Sequence, residues 1–260
     1  MKGAEGTLLE LQGISMRFGG VTALRDVGFS IRSGEIFALI GPNGAGKTTL
    51  FNVISGIYPS QAGSVIFDGQ DLGQVPPHRI AALGVARTFQ NIELFDRATV
   101  LQNLLIGAHT RRRTGLWQDL LFLRATREAE CQLRAQVEQV IDFLELQHYR
   151  DAPVGSLPYG VRKIVELARA LCVRPRLLLL DEPSSGLNAE ETDNLAFWIQ
   201  DIRSDLGITV LMVEHDMALV SRVSDRVLAL DQGRVLALGT PVQVQCDPLV
   251  IEAYIGSADR

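Results

Sequence analysis

The feature that most constrains this chain is a glycine-rich run, Gly41-Pro42-Asn43-Gly44-Ala45-Gly46-Lys47-Thr48, followed by Thr49. It fits the pattern G-x-x-x-x-G-K-(S/T), and its flanks suit that reading. Residues 35–40 ahead of it are nearly all apolar, as a buried strand requires. Residues 48–56 behind it carry helical spacing at Leu50, Phe51, Val53 and Ile54. Glycines let successive backbone N–H groups turn inward around phosphate oxygens, and the helix start adds positive potential. Lys47 is placed to neutralise the outer phosphates of a nucleoside triphosphate, and the Thr48 hydroxyl to ligate Mg²⁺.

Such a loop works with a carboxylate at the end of a second buried strand. Residues 177–180 are all leucine and run into Asp181 and Glu182, with Pro183 closing the strand. Asp181 is the candidate carboxylate for Mg²⁺, through water, and Glu182 the candidate that polarises an attacking water. A third apolar stretch, residues 208–213, leads into Glu214-His215-Asp216 and marks His215 as a further candidate.

Around these motifs the chain alternates in character. Residues 8–15 and 21–31 read as strands flanking the Phe18-Gly19-Gly20 turn, and 65–67 as another before Asp68-Gly69. From about 100 to 173 strand signals vanish, and residues 124–146 show a mostly helical period at Leu133, Val137, Val140, Ile141 and Leu144. Strand and helix then alternate again, with a helix over 190–205 and a hairpin around Asp231-Gln232-Gly233. The expectation is an α/β fold whose core is interrupted by a helical insert.

Composition narrows the function classes. The 260 residues are 47% hydrophobic, which excludes a disordered or fibrous chain. With 25 Lys+Arg against 30 Asp+Glu the net charge is −5, which argues against a nucleic-acid binder relying on a basic face. Cys131, Cys172 and Cys246 form no Cys-x-x-Cys pair and read as reduced thiols. Mean hydropathy is +0.14, yet no apolar run approaches the roughly 18 residues of a membrane span. The start, Met-Lys-Gly-Ala-Glu-Gly, lacks the apolar stretch of a signal peptide. Arg111-Arg112-Arg113 reads as a solvated charge cluster, with anionic lipid or a membrane partner as the sharper alternative.

With these motifs in this order the chain resembles the ATP-binding subunit of an ABC transporter, nearly end to end. The resemblance implies a P-loop ATPase fold over 1–260 with a mixed-sheet core, an N-terminal antiparallel β subdomain, a helical subdomain inserted at about 95–173 and a tail at about 239–260. It implies that residues 41–49 wrap the phosphates of ATP and that Phe18 stacks on adenine. Gln90, closing Arg87-Thr88-Phe89-Gln90, matches the Q-loop glutamine that reaches Mg²⁺ and couples to the membrane subunits. His215 matches the switch histidine that holds Glu182 and the water in register. Ser185-Gly186-Leu187-Asn188 matches the D-loop, with Asn where the family often has Asp.

The signature segment departs most from the family pattern Leu-Ser-Gly-Gly-Gln. Here Leu157-Pro158-Tyr159-Gly160-Val161 stands in its place, and Pro158 offers neither hydroxyl nor N–H. In the family this segment closes the site of a second ATPase subunit in trans. That signature, the stretch Phe89-Gln90-Asn91-Ile92-Glu93-Leu94-Phe95 and the tail Ile251-Glu252-Ala253-Tyr254-Ile255-Gly256 are similar to the ATPases of branched-chain amino-acid importers. Urea and amide importers share them, and lipopolysaccharide-export ATPases do so in part. The implied partners are a second ATPase subunit, permease subunits and, indirectly, an extracytoplasmic solute-binding protein, with the chain peripheral on the cytoplasmic face of the inner membrane. Two other classes stay open. Soluble ABC ATPases of repair or translation usually carry two nucleotide domains or a long coiled coil, and a P-loop kinase needs no signature helix or switch histidine.

Overall fold

The computed structural model describes residues 6–88, 92–108 and 124–258. Gln90, His109 and the Arg111–Arg113 cluster lie outside the described residues. The chain divides into two compact units, one of residues 1–87 with 176–260 and one of residues 88–175.

The first unit holds two sheets. Strands β1 (Thr7–Phe18) and β2 (Val21–Arg32) form a long hairpin, which β4 (Ala62–Phe67) and β5 (Gln70–Asp71) extend in the order β2-β1-β4-β5, all antiparallel. The second sheet joins β3 (Ile36–Ile40), β6 (Val85–Arg87), β7 (Leu177–Asp181), β8 (Thr209–Val213), β9 (Arg226–Asp231) and β10 (Arg234–Gly239) in the order β10-β9-β3-β8-β7-β6. Its strands are parallel except for the β9–β10 hairpin. The expected mixed core and antiparallel N-terminal sheet are both present.

Every residue of β3, β7 and β8 is buried, which explains why these strands are continuous apolar runs with no alternation. Phe29 of β2 stacks on Phe37 of β3 with ring centroids 5.2 Å apart, joining the sheets through one core. Helix α1 (Lys47–Ile54) adds Leu50, Phe51 and Ile54 to that core. The register decides where the chemistry lies. Leu39 pairs with Val213 and Val213 with Asp181, so β3, β8 and β7 end side by side. In an open parallel sheet that carboxyl edge is where ligands bind.

The second unit is helical, with α3 (Val100–Ala108), α4 (Arg124–Phe143) and α5 (Tyr159–Leu171), after the short α2 (Pro77–Leu83) of the first unit. Gly107 is where α3 meets α5, since a Cβ there would sit 2.6 Å from the Arg169 carbonyl oxygen. Among the described residues no helix is long and apolar enough to cross a membrane. The buried Cys172 thiol is pushed up to about 12 by desolvation, so it is inert packing.

Candidate functional site

The loop from Gly41 to Gly46 turns between β3 and α1, and two glycines make the turn possible. Gly41 has φ 151°, and a Cβ on it would stand 2.1 Å from the Leu230 carbonyl oxygen. Gly46 has φ 106°, and its Cβ would stand 2.6 Å from the Ala23 oxygen. Either position with a side chain would push the loop off β9 or β2. Gly46 is also the N-cap of α1 and contributes no side-chain bond, which leaves the first-turn N–H groups available to an anion. A cavity of about 530 Å³ opens there, lined by Asn43 through Thr49, by Gly20–Ala23 and Arg25 of the β1–β2 hairpin, and by Glu182 and Gln232.

Lys47 is buried and donates from Nζ to the carbonyl oxygens of Gly41 at 2.6 Å and Pro42 at 3.0 Å. Burial lowers its pKa, while the nearby charges of Glu182 and Asp181 pull it back up. Thr48 is exposed and Thr49 half-buried. Phe18 ends β1 just before the lining begins. The residue is 44% exposed, and its ring meets Tyr58 edge-on, centroids 5.3 Å apart.

Opposite the loop, β7 delivers Asp181 and Glu182. Asp181 is buried, and its Oδ2 accepts from Arg87 at 2.7 Å, with side chains only 5% and 9% exposed. Arg87, the last residue of β6, also donates to Asn52 Oδ1 (2.7 Å) and Ser55 Oγ (3.0 Å) of the α1 segment. It thus ties the carboxylate of one strand to the helix that follows the glycine loop. Glu182 has φ 48°, left-handed and unusual for a non-glycine residue. His215 Nε2 lies 2.7 Å from Glu182 Oε1, and because a carboxylate only accepts, the imidazole proton sits on Nε2. Lys47, Asp181, Glu182 and His215 are therefore gathered at one edge of one sheet.

The structure gives several other residues roles that the sequence did not assign them. Glu214 is buried beneath His215 and accepts from both Ser184 and His215. Arg87 and Glu214 had a readable signal, a charge inside or directly after an apolar strand. Tyr254, in helix α7 (Pro248–Ala258), has its phenol pushed up chiefly by burial, with the nearby Gly41 backbone pulling the other way, so the C-terminal tail lies close to the start of the loop. Asn188 caps helix α6 (Ala189–Ser204), accepting from Glu191 N–H at 3.0 Å while Glu191 accepts from Asn188 N–H at 2.9 Å. That reciprocal box explains how Asn can replace Asp there.

In the helical unit Leu157 is half-buried, Pro158 and Tyr159 are exposed, and Gly160 is buried. Pro158 is the N-cap of α5 with no side-chain bond, and its carbonyl takes the Arg162 N–H at 3.0 Å. Asn103, fully buried, accepts from Phe95 N–H at 2.9 Å and donates to the Phe95 and Thr99 carbonyls at 3.1 and 3.0 Å. It fixes the segment that follows Gln90 and presents the exposed Phe95 ring.

The ABC transporter family model matches residues 24–185, and a second model, branched-chain amino acid ATP-binding cassette transporter, matches residues 234–260. The chain is 41% identical over 251 residues to the high-affinity branched-chain amino acid transport ATP-binding protein BraF of Pseudomonas aeruginosa, covering 96% of this chain and 98% of that one. It is 40% identical, with the same coverage, to LivG of Escherichia coli K12, which carries the same description. Among solved structures it is similar to a nucleotide-free ATP-binding cassette from an ABC transporter, with a TM-score of 0.84, 31% identity, and 96% and 99% of the two chains covered. Relatives of this extent, met by a glycine loop, a strand-end carboxylate pair and a histidine on one sheet edge, place the chain in the ABC transporter family, among its ATP-binding subunits.

Proposed function

We propose that this chain is the ATP-hydrolysing motor of an importer for branched-chain or related hydrophobic amino acids. It would sit on the cytoplasmic face of the membrane, held by permease subunits and paired with a second ATPase subunit, identical or paralogous. An extracytoplasmic solute-binding protein would hand the amino acid to the permease. The observation that carries this reading is the meeting of Lys47 and Glu182 at one cavity, with His215 bonded to Glu182, in a chain whose end-to-end relatives are transport ATP-binding proteins.

The residues fit their ligand. The N–H groups at the start of α1 and the Lys47 ammonium would hold the β- and γ-phosphates, with the adenine near Phe18. Thr48 and Asp181 offer hard oxygen donors of the kind Mg²⁺ takes, with Gln90 added from the resemblance. Among the described residues no cluster of three His, Cys, Asp or Glu side chains could hold a metal alone, which suits an ion that arrives with the nucleotide. When bound, Mg²⁺ neutralises charge developing on the phosphate oxygens.

Glu182 accepts the proton of the water whose oxygen bonds to the γ-phosphorus as the bond to the β,γ-bridging oxygen breaks and ADP leaves. His215, bonded to Glu182 Oε1, keeps that carboxylate from turning away. Leu157, Pro158, Tyr159 and Gly160 would close the partner subunit's site in trans, where the α5 helix start and the Gly160 N–H would face phosphate. Pro158 removes the hydroxyl that a serine would add there.

Cells carrying the whole operon test the reading. The chain is expected in the membrane fraction with the permease subunits, and uptake of labelled leucine should stop with Glu182→Gln. Absence from membranes, or uptake unaffected by that substitution, would overturn it.

A further inference from the structure

We propose that Glu214 is a positioning residue for the hydrolytic pair, setting the distance between Glu182 and His215 through a buried carboxylate clamp. The proposal rests on the reading of Glu182 and His215 given above. Glu214 follows β8 directly and is 1% exposed. Its Oε1 accepts from Ser184 N–H at 2.8 Å. Its Oε2 accepts from Ser184 Oγ–H at 2.9 Å, His215 N–H at 3.0 Å and Asp216 N–H at 3.4 Å. No ion pair reaches Glu214 among the described residues, so hydrogen-bond donors from two different loops compensate its charge.

The bonds close a ring. Ser184 lies two residues after Glu182 on the β7 side, and His215 lies one residue after Glu214 on the β8 side. The Glu182–His215 contact of 2.7 Å completes the circuit. The strands end in register at Asp181 and Val213; backbone bonds from Glu182 N–H to the Val213 carbonyl (2.9 Å) and from Glu214 N–H to the Leu39 carbonyl (3.3 Å) carry the pairing one residue further, and the backbone beyond them lies in the loops. Glu182 also sits at φ 48°, a conformation that persists only where its surroundings hold it. An apolar residue at 214 would avoid the cost of burying a carboxylate but could not grip either loop. The clamp supplies that grip, and it acts on the spacing of the base and the histidine while touching neither phosphate nor water.

A double-mutant cycle in the purified, assembled transporter separates this role from plain structural support. Glu214→Gln keeps the shape but puts an amide donor among N–H and O–H donors. It should lower kcat roughly 10–100-fold, as misplacement by about an ångström does, and leave KM and nucleotide binding within about twofold. In a His215→Ala background, where there is no spacing left to set, the same substitution should cost less than about twofold, read by single turnover. Ser184→Ala, which removes one donor and leaves the charge in place, should repeat the pattern at smaller size if Glu214→Gln folds poorly. Unchanged kcat, or a loss that multiplies in full with His215→Ala, would overturn the clamp. If His215→Ala and Glu182→Gln themselves leave hydrolysis intact, the reading of the pair falls and the clamp with it, a result distinct from an unaffected Glu214→Gln.

Discussion

The two units hold their critical segments with different chemistry. In the nucleotide unit the pins are charged and buried: Arg87 with Asp181, and Glu214 with Ser184 and His215. In the helical unit the segment before α3 is pinned by the neutral amide of Asn103, ion pairs such as Arg134–Glu130 and Arg162–Asp96 lie at the surface, and the buried charges, Lys163 and Glu166, belong to α5 itself. At the phosphate edge the loop ends are held by buried charge. Where a loop need only be held in place, an uncharged side chain suffices, at a lower desolvation cost.

Breaking the charged side of this contrast should have the largest effect. Arg87→Met removes the guanidinium from the buried Asp181 and should cost about 3–5 kcal/mol in urea unfolding. Arg134→Ala in the helical unit, with both side chains more than half exposed, should cost about 0–1 kcal/mol. Equal losses would erase the distinction between the units.

The next effect is on pH. Burial holds Lys47 below its ordinary value of 10.5, so between the two values the folded chain has lost a proton that the unfolded chain keeps. In that alkaline window the Lys47 contribution to stability grows with pH while its positive charge disappears. Nucleotide affinity should fall there by up to about tenfold per pH unit. Glu182→Gln takes away a charge that raises the Lys47 pKa, so the fall should begin at lower pH in a fluorescence titration with an ATP analogue. A window that stays put would separate Lys47 from Glu182.

The smallest effect sharpens the helical side. Pro158→Ser gives α5 a side-chain cap it lacks, worth about 1 kcal/mol. Separately, the restored hydroxyl at the partner's phosphate should raise ATP turnover of the assembled complex, roughly fivefold for a bond of about 1 kcal/mol made only in the transition state. Unchanged or lower turnover would show that this segment is already optimal with proline.

How much could be read in advance follows the same division. The glycine loop was legible because its chemistry is local, with each glycine, Lys47 and Thr48 acting within one turn of its neighbours. Strands β3, β7 and β8 were legible because burial on both faces forces an unbroken apolar run. Arg87 meets Asp181, and Ser184 meets Glu214, only through pairing between strands far apart in the chain. Nothing in the residues around Arg87 names its acceptor. Asn103 was hidden for another reason, since a lone amide in a helix looks like a surface residue until the Phe95 backbone folds over it. Asn188 appeared as a missing charge, whereas its work is to cap α6.

Strand β3, which leads into the glycine loop, lies between β8 and β9, and the loop itself rests on the β9–β10 turn, where Gly233 N–H donates to Ala45 O at 2.9 Å. The motif and its support from β2 are encoded early, but its supports from β8, β9 and the β9–β10 turn are encoded late. During synthesis the loop and β2, which packs against Gly46, leave the ribosome long before β8, β9 and the β9–β10 turn that brace its other side. A chain cut anywhere ahead of β9 would carry every letter of the nucleotide motif and still lack the cradle.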